Sequence, residues 1–256
     1  MQSPQDVGNT FSRAWQLLSA NWIIIVPAIV VGIICAILVG FIGFTGGAAS
    51  IGAGALAGGG AALGGLLLTG LLLAVIGALA YVITISYTTG MADAAWRTGT
   101  ATLADGSAAL SSRGSNVFVA AILYFILMVV AFMLAPFTIF LSVLAFVLFF
   151  LYTFAAVIVG GTPGGAALGE SARIAMANFA STLLVVVLLI LAGIVGAALS
   201  RIFHGIPFIG PIVQYVIQNV ILAYATLVIV GEYIKVRTPV AATVTGTSNP
   251  PTVPPV

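Results

Sequence analysis

Three pairs of opposite charge have a spacing that could do chemistry. Asp93 and Arg97 stand four residues apart; Glu170 and Arg173 stand three apart, as do Glu232 and Lys235. On a helix these intervals put both charges on one face. Such carboxylate–cation pairs could form a polar network that gates a path, or solvated and interfacial ion pairs that fix helix ends. A second constellation is Gln214, Tyr215, Gln218 and Asn219. Gln214 and Gln218 share one helical face, and Tyr215 and Asn219 share the next. Amides and hydroxyls in lipid seek partners inside a bundle, so this polar face could meet a substrate or bond neighbouring helices. Thr84, Ser86, Tyr87, Thr88 and Thr89 form a hydroxyl-rich stretch expected to bond nearby carbonyls.

Other chemistry is excluded by residue type. Cys35 and His204 are single, so neither a disulfide nor a zinc ligand cluster can be assembled. His204 lies in RIFHGIPFIGP beside Arg201, with no carboxylate near it to make it a base. No triad, phosphate loop or paired carboxylate emerges, so no catalytic, cofactor or metal residue is assigned. The formal net charge of +2 is too small and scattered for nucleic-acid binding.

The elements that must position these residues are membrane helices. Hydrophobic residues make up 62% of the 256-residue chain and charged residues 5%, with a mean hydropathy of +1.29. A water-facing surface needs far more charge. Residues 14–92, 114–169, 174–200 and 202–231 carry no charge at all. One helical crossing takes ~20 apolar residues, so the first two gaps each fit a hairpin and the last two one span each. The spans fall near 22–44, 66–89, 117–135, 137–159, 179–199 and 212–231. Pro136 interrupts an apolar stretch too long for one crossing and reads as a tight turn, and Pro27 as a kink in the first span. Six of the seven basic residues fall on the side that holds both termini, and only Arg201 on the other. Loops rich in Lys and Arg stay in the cytoplasm, so both termini are expected there.

Residues 45–65, TGGAASIGAGALAGGGAALGG, contain nine glycines and are expected to form a flexible external loop that could be partly helical. A short segment ending in Asn21, Asn116 or Asn178 precedes each pair of spans. In the first, Phe11, Ala14, Trp15 and Leu18 share a face, as on an interfacial amphipathic helix. In the third, Leu168, Ala172, Ala175 and Phe179 do, with Thr162-Pro163 as its start. The expected fold is therefore all-α: a polytopic transmembrane bundle of six helices in three hairpins, with short cytoplasmic amphipathic helices and a threefold internal repeat. Residues 1–8 form a polar tail, 9–237 the membrane domain and 238–256 a disordered Pro-rich cytoplasmic tail.

The strings FSRAWQLLSANW, GMADAAWRTGTATLADG, TPGGAALGESARIAMANFASTLL and GEYIKVR resemble a diffuse group of six-span bacterial and archaeal membrane proteins. That group includes uncharacterised families and the membrane domain of some glycerophosphodiester phosphodiesterases. The resemblance implies a multi-pass protein of the cytoplasmic membrane and supplies no active-site residues. No soluble catalytic domain is recognisable in this chain, so phosphodiesterase activity is not carried over. The expected role is that of a non-enzymatic accessory, scaffold or envelope-homeostasis component, with the lipid bilayer and other membrane proteins as partners. The alternative is a transporter or channel for a small uncharged or lipid-like solute.

Overall fold

Backbone groups in lipid must satisfy one another, which leaves the helix as the natural solution for this composition. A computed structural model describes residues 4–57, 59–203, 206 and 209–244. Among them run α1 (Pro4–Ala20), α2 (Val26–Ala57), α3 (Gly59–Thr98), α4 (Leu103–Leu134), α5 (Leu141–Phe150), α6 (Thr153–Ile158), α7 (Gly164–Ala177), α8 (Phe179–Phe203) and α9 (Ile209–Val244), and no strand. Six stretches are long and apolar enough to cross a membrane: Trp22–Thr45, Leu63–Thr98, Leu103–Leu134, Leu141–Ile158, Phe179–Phe203 and Gly210–Arg237. They pair as three hairpins: α2 with α3, α4 with α5 and α6, and α8 with α9.

The glycine-rich segment departs from expectation. Residues 45–57 are the end of α2 and residues 59–65 the start of α3, so among the described residues the segment is helix rather than loop. Seven alanines stand among the nine glycines. Alanine is the best helix former, and extending a helix is far easier than nucleating one, so two long spans propagate through the segment. Pro27 also differs: a 3-10 turn over Trp22–Ile25 leads into the first span, and Pro27 sits in the first turn of α2, where its missing N–H costs nothing. At the other terminus α9 continues to Val244, past the expected start of the tail at 238. A proline costs a helix one ladder bond and a bend, and Pro239 follows turns already formed. Residues 245–256, assigned above to a disordered tail, lie outside the described residues.

Asn21 closes α1. Its Nδ2 donates to Leu17 O and to Gly99 O, each at 3.0 Å, and its Oδ1 accepts from Ala101 N at 2.9 Å. One buried amide thus ties α1 and the entry to the first span to the α3–α4 connection. Asn178 closes α7 in the same local way, donating to Ile174 O at 3.2 Å. Asn116 does not end a helix: α4 passes through it without a break. The reason lies at its start, where Thr102 and Asp105 form a reciprocal capping box and launch one 32-residue helix.

The buried faces of α1 and α7 lie part of a turn from those expected. In α1, Val7, Thr10, Ala14, Leu17 and Leu18 are buried, while Trp15 is 58% exposed. Phe11 and Trp15 instead meet the Tyr224 ring edge-on at the flank, with centroids 6.0 and 6.1 Å away. In α7 the buried residues include Ala167, Leu168, Ser171, Ile174 and Ala175. Ser171 meets the fourth span where that span is broken between α5 and α6. Its hydroxyl accepts from Tyr152 N at 3.0 Å and donates to Phe149 O at 2.8 Å, satisfying two groups that the break orphans. Pro136 lies in the turn between α4 and α5, as its position suggests. Ile139 and Phe140 there adopt φ of 50° and 62°, a strained region for a β-branched or bulky residue.

Burial is unequal along the bundle. Both clusters of buried apolar residues gather at the end that carries α1, around Val117, Tyr152 and Tyr233 and around Leu17, Met91 and Leu227. Towards the opposite end, Leu67, Leu71, Phe132, Ile194 and Ile202 are exposed. Among the described residues, the three hairpins bury most apolar side chains against one another at the α1 end.

Candidate functional site

Glu232 is the most deeply placed charge. It is 0% exposed, one turn from the end of the sixth apolar stretch. Its Oε1 accepts from Lys235 Nζ at 3.0 Å, while Oε2 has no hydrogen-bond partner among the described residues. The same Nζ donates to Asp6 O and to Thr10 Oγ1, both at 2.5 Å. A buried carboxylate is tolerable only when paired. Here its partner also clamps α1 onto α9. The spacing of residues 232 and 235 pointed to the pair but not to Thr10, whose buried hydroxyl interrupts the apolar face of α1.

Glu170 lies nearby and is partnered differently from expectation. Glu170 and Arg173 form no ion pair among the described residues. Oε1 of Glu170 instead accepts from Tyr233 Oη at 2.8 Å, and Oε2 accepts from the Thr162 hydroxyl. Three-residue spacing permits a pair on α7, but Glu170 faces inward and finds hydroxyls from α9 and from the turn before α7. Thr162 therefore does not cap α7; Pro163 stands at that position. Two guanidiniums hold this turn. Arg113 Nη1 donates to Val157 O at 2.9 Å, and Arg237 Nη2 donates to Gly160 O at 2.9 Å while lying over the Tyr233 ring. Gly161, at φ 74°, lets the chain turn beside Arg113.

Asp93 and Arg97 form the expected i, i+4 pair, Nε to Oδ1 at 2.8 Å, with the arginine side chain 62% exposed. They line a shallow cavity of about 570 Å³ together with Asp105 and Arg113. The α1 end thus carries an extended polar network whose members mostly satisfy one another. That arrangement fixes helix ends.

The polar face of the sixth span divides in two. Tyr215 and Asn219 turn into the bundle. Tyr215 Oη donates to Ala28 O at 2.9 Å, and Gly32 lies so close that any side chain there would strike the hydroxyl. Asn219 Nδ2 donates to Tyr215 O at 2.8 Å. Gln214 and Gln218 face α8 instead and line a cavity of about 500 Å³ with Ala197, Ser200 and Arg201. Sequence reasoning missed Arg201 as their companion, although it is the lone basic residue on its side. His204 lies outside the described residues. A third cavity, about 260 Å³, lies among the second, third, fourth and sixth spans, with Tyr81, Thr89, Tyr124, Phe154 and Thr226 among its walls. Both threonine hydroxyls there are spent on carbonyls of their own helices, Ile85 O and Leu222 O.

Among the described residues no group of three or more His, Cys, Asp or Glu side chains could hold a metal. Compared with protein-family models, with curated proteins and with solved structures, the chain matches none, and its described residues are those of an all-helical, multi-pass membrane protein.

Proposed function

We propose that this chain is a non-enzymatic accessory or scaffold component of a bacterial or archaeal cytoplasmic membrane, with both termini in the cytoplasm. One observation carries the reading. Only 6% of the most apolar stretch of α3 is buried within the chain, against 50% of the stretch Leu141–Ile158. The spans are long enough to cross, yet they leave many apolar side chains unoccupied by their own chain. Between α3 and α4 this surface forms an apolar groove of about 360 Å³, walled by Val75, Leu79, Phe118 and Phe125 among others. Lipid or the spans of another membrane protein fit such a surface, and exposed apolar patches mark sites of that kind. The mutually satisfied polar network at the α1 end supports the same reading, since it rigidifies a platform. Sidedness rests on the basic residues, six of which lie at the α1 end. Membership of the six-span group named above, and descent of the three hairpins from a repeat, belong to this reading; the matching roles of Asn21 and Asn178 support the repeat.

In-membrane photo-crosslinking tests it. A photoreactive residue at Leu71 or Phe132 is expected to yield a discrete protein adduct, and one at the buried Val157 none. Adducts to lipid alone, from every exposed position, would contradict a scaffold. The second reading, transport of a small uncharged or lipid-like solute, draws on the polar cavity at Gln214 and Gln218 and the hydroxyl-bearing cavity among the second, third, fourth and sixth spans. It ranks lower because these are separate cavities and no charged side chain lines the second. Solute uptake by vesicles holding the purified chain alone would reverse the ranking.

A further inference from the structure

The acidic residues all lie at the α1 end. Asp6 and Glu232 stand beside Lys235, Asp93 beside Arg97, Asp105 at the start of α4, and Glu170 under Tyr233. Arg201 is at the other end of α8 and forms no ion pair among the described residues. The described residues therefore supply no counter-charge for it. From Phe179 to Arg201 an α-helix rises about 33 Å, enough to carry the guanidinium past a hydrocarbon core of roughly 30 Å to the depth of lipid phosphates.

What surrounds Arg201 is built for an anion. Gln214 and Gln218, one turn apart on α9, direct their carboxamides to the same cavity of about 500 Å³. Neither carboxamide has a hydrogen-bond partner among the described residues. The Ser200 hydroxyl is already committed to Gly196 O at 2.8 Å. The unspent donors are thus one planar guanidinium fork and two amide NH₂ groups, a set that matches the oxygens of a phosphate better than those of a neutral solute. Their carbonyls remain as acceptors for a hydroxyl or ammonium beside it. Leu199, Ile202, Ile212 and Val216, neighbours in sequence of the lining residues, are exposed apolar side chains, a surface on which acyl chains can lie.

We propose that Arg201, Gln214 and Gln218 form a binding site for a phosphate ester, presented as the headgroup of an anionic phospholipid. This does not depend on the scaffold reading. It requires only that α8 and α9 span the membrane. The test uses the purified full chain, delipidated and then titrated with phosphatidylglycerol, phosphatidylcholine or inorganic phosphate, with bound lipid counted by native mass spectrometry. Phosphatidylglycerol is expected to bind at one saturable site and more tightly than phosphatidylcholine. Arg201→Gln is expected to weaken it about 10- to 100-fold, the effect of losing charge-assisted hydrogen bonds, and Gln214→Leu with Gln218→Leu by a smaller factor. Arg201→Lys keeps charge without the fork and should fall between, which separates lost recognition from a lost fold. Inorganic phosphate binding as tightly, and equally sensitive to Arg201→Gln, would uphold the site and name a soluble ester as its ligand. No saturable binding of either, or an equal loss in Arg97→Gln at the opposite end, would overturn the proposal.

Discussion

Glu232 carries a negative charge into a place that water does not reach, and Lys235 makes that tolerable. Lys235→Ala removes the only side-chain partner that a buried carboxylate has among the described residues, and two bonds that hold α1. The expected loss is about 2–4 kcal/mol, at the lower part of the range for a broken buried pair because the lysine itself is one-third exposed. Asp93→Ala breaks a pair whose arginine is mostly in solvent, and should cost no more than about 0.5 kcal/mol. Thermal unfolding in detergent reads both, and equal losses would sink the distinction. Asn21→Ala deprives Gly99 O and Ala101 N of their partner at a buried junction, for an expected ~1–3 kcal/mol on the same assay. The pairs at 93/97 and 232/235 were legible in the sequence because both partners share one helix. The Glu170 environment was not. Its partners come from α9 and from the turn before α7, and spacing within one helix says nothing about residues that approach from elsewhere.

At the scale of elements, the fourth span is the informative case. Its apolar run reads as one helix, yet it is two, joined where Ser171 from α7 replaces the missing ladder bonds. Ser171→Ala leaves Tyr152 N and Phe149 O unsatisfied, at an expected cost of ~1–3 kcal/mol, and Ser171→Thr, which retains the hydroxyl, should lose less. Hydropathy could not show the break, since the run around it stays largely apolar, Thr153 adds only a local bond to Phe150 O, and the hydroxyl that satisfies Tyr152 N and Phe149 O is distant in sequence. Gly32 makes a second such case. It admits the Tyr215 hydroxyl to the carbonyls of Ala28 and Ile29, and Gly32→Leu should force α2 away from α9 at a cost of about 1–3 kcal/mol. A disulfide between cysteines placed on the facing turns should then form in lower yield. An unchanged yield would mean that the two helices do not meet there. The number of spans was legible from the charge-free gaps. The glycine-rich segment was misread because glycine content was weighed without the interleaved alanines and without the two long helices that enter it.

For the whole molecule, the division between a packed α1 end and an opposite end with more exposed apolar side chains organises everything else. The polar network, the buried apolar clusters and five acidic residues occupy the first. The exposed apolar sides, the turn at Thr138 and the Arg201 cavity occupy the second. Both the proposed scaffold role and the phosphate site depend on these ends lying on opposite sides of one bilayer. Accessibility labelling measures that directly. With Cys35 replaced by Ala, single cysteines at Ser107 and Thr138, both exposed and at opposite ends, are treated in intact cells with a membrane-impermeant maleimide. Thr138→Cys is expected to react at once and Ser107→Cys only after the membrane is opened. Reaction of Ser107→Cys in intact cells, or of both positions alike, would contradict six spans with both termini in the cytoplasm.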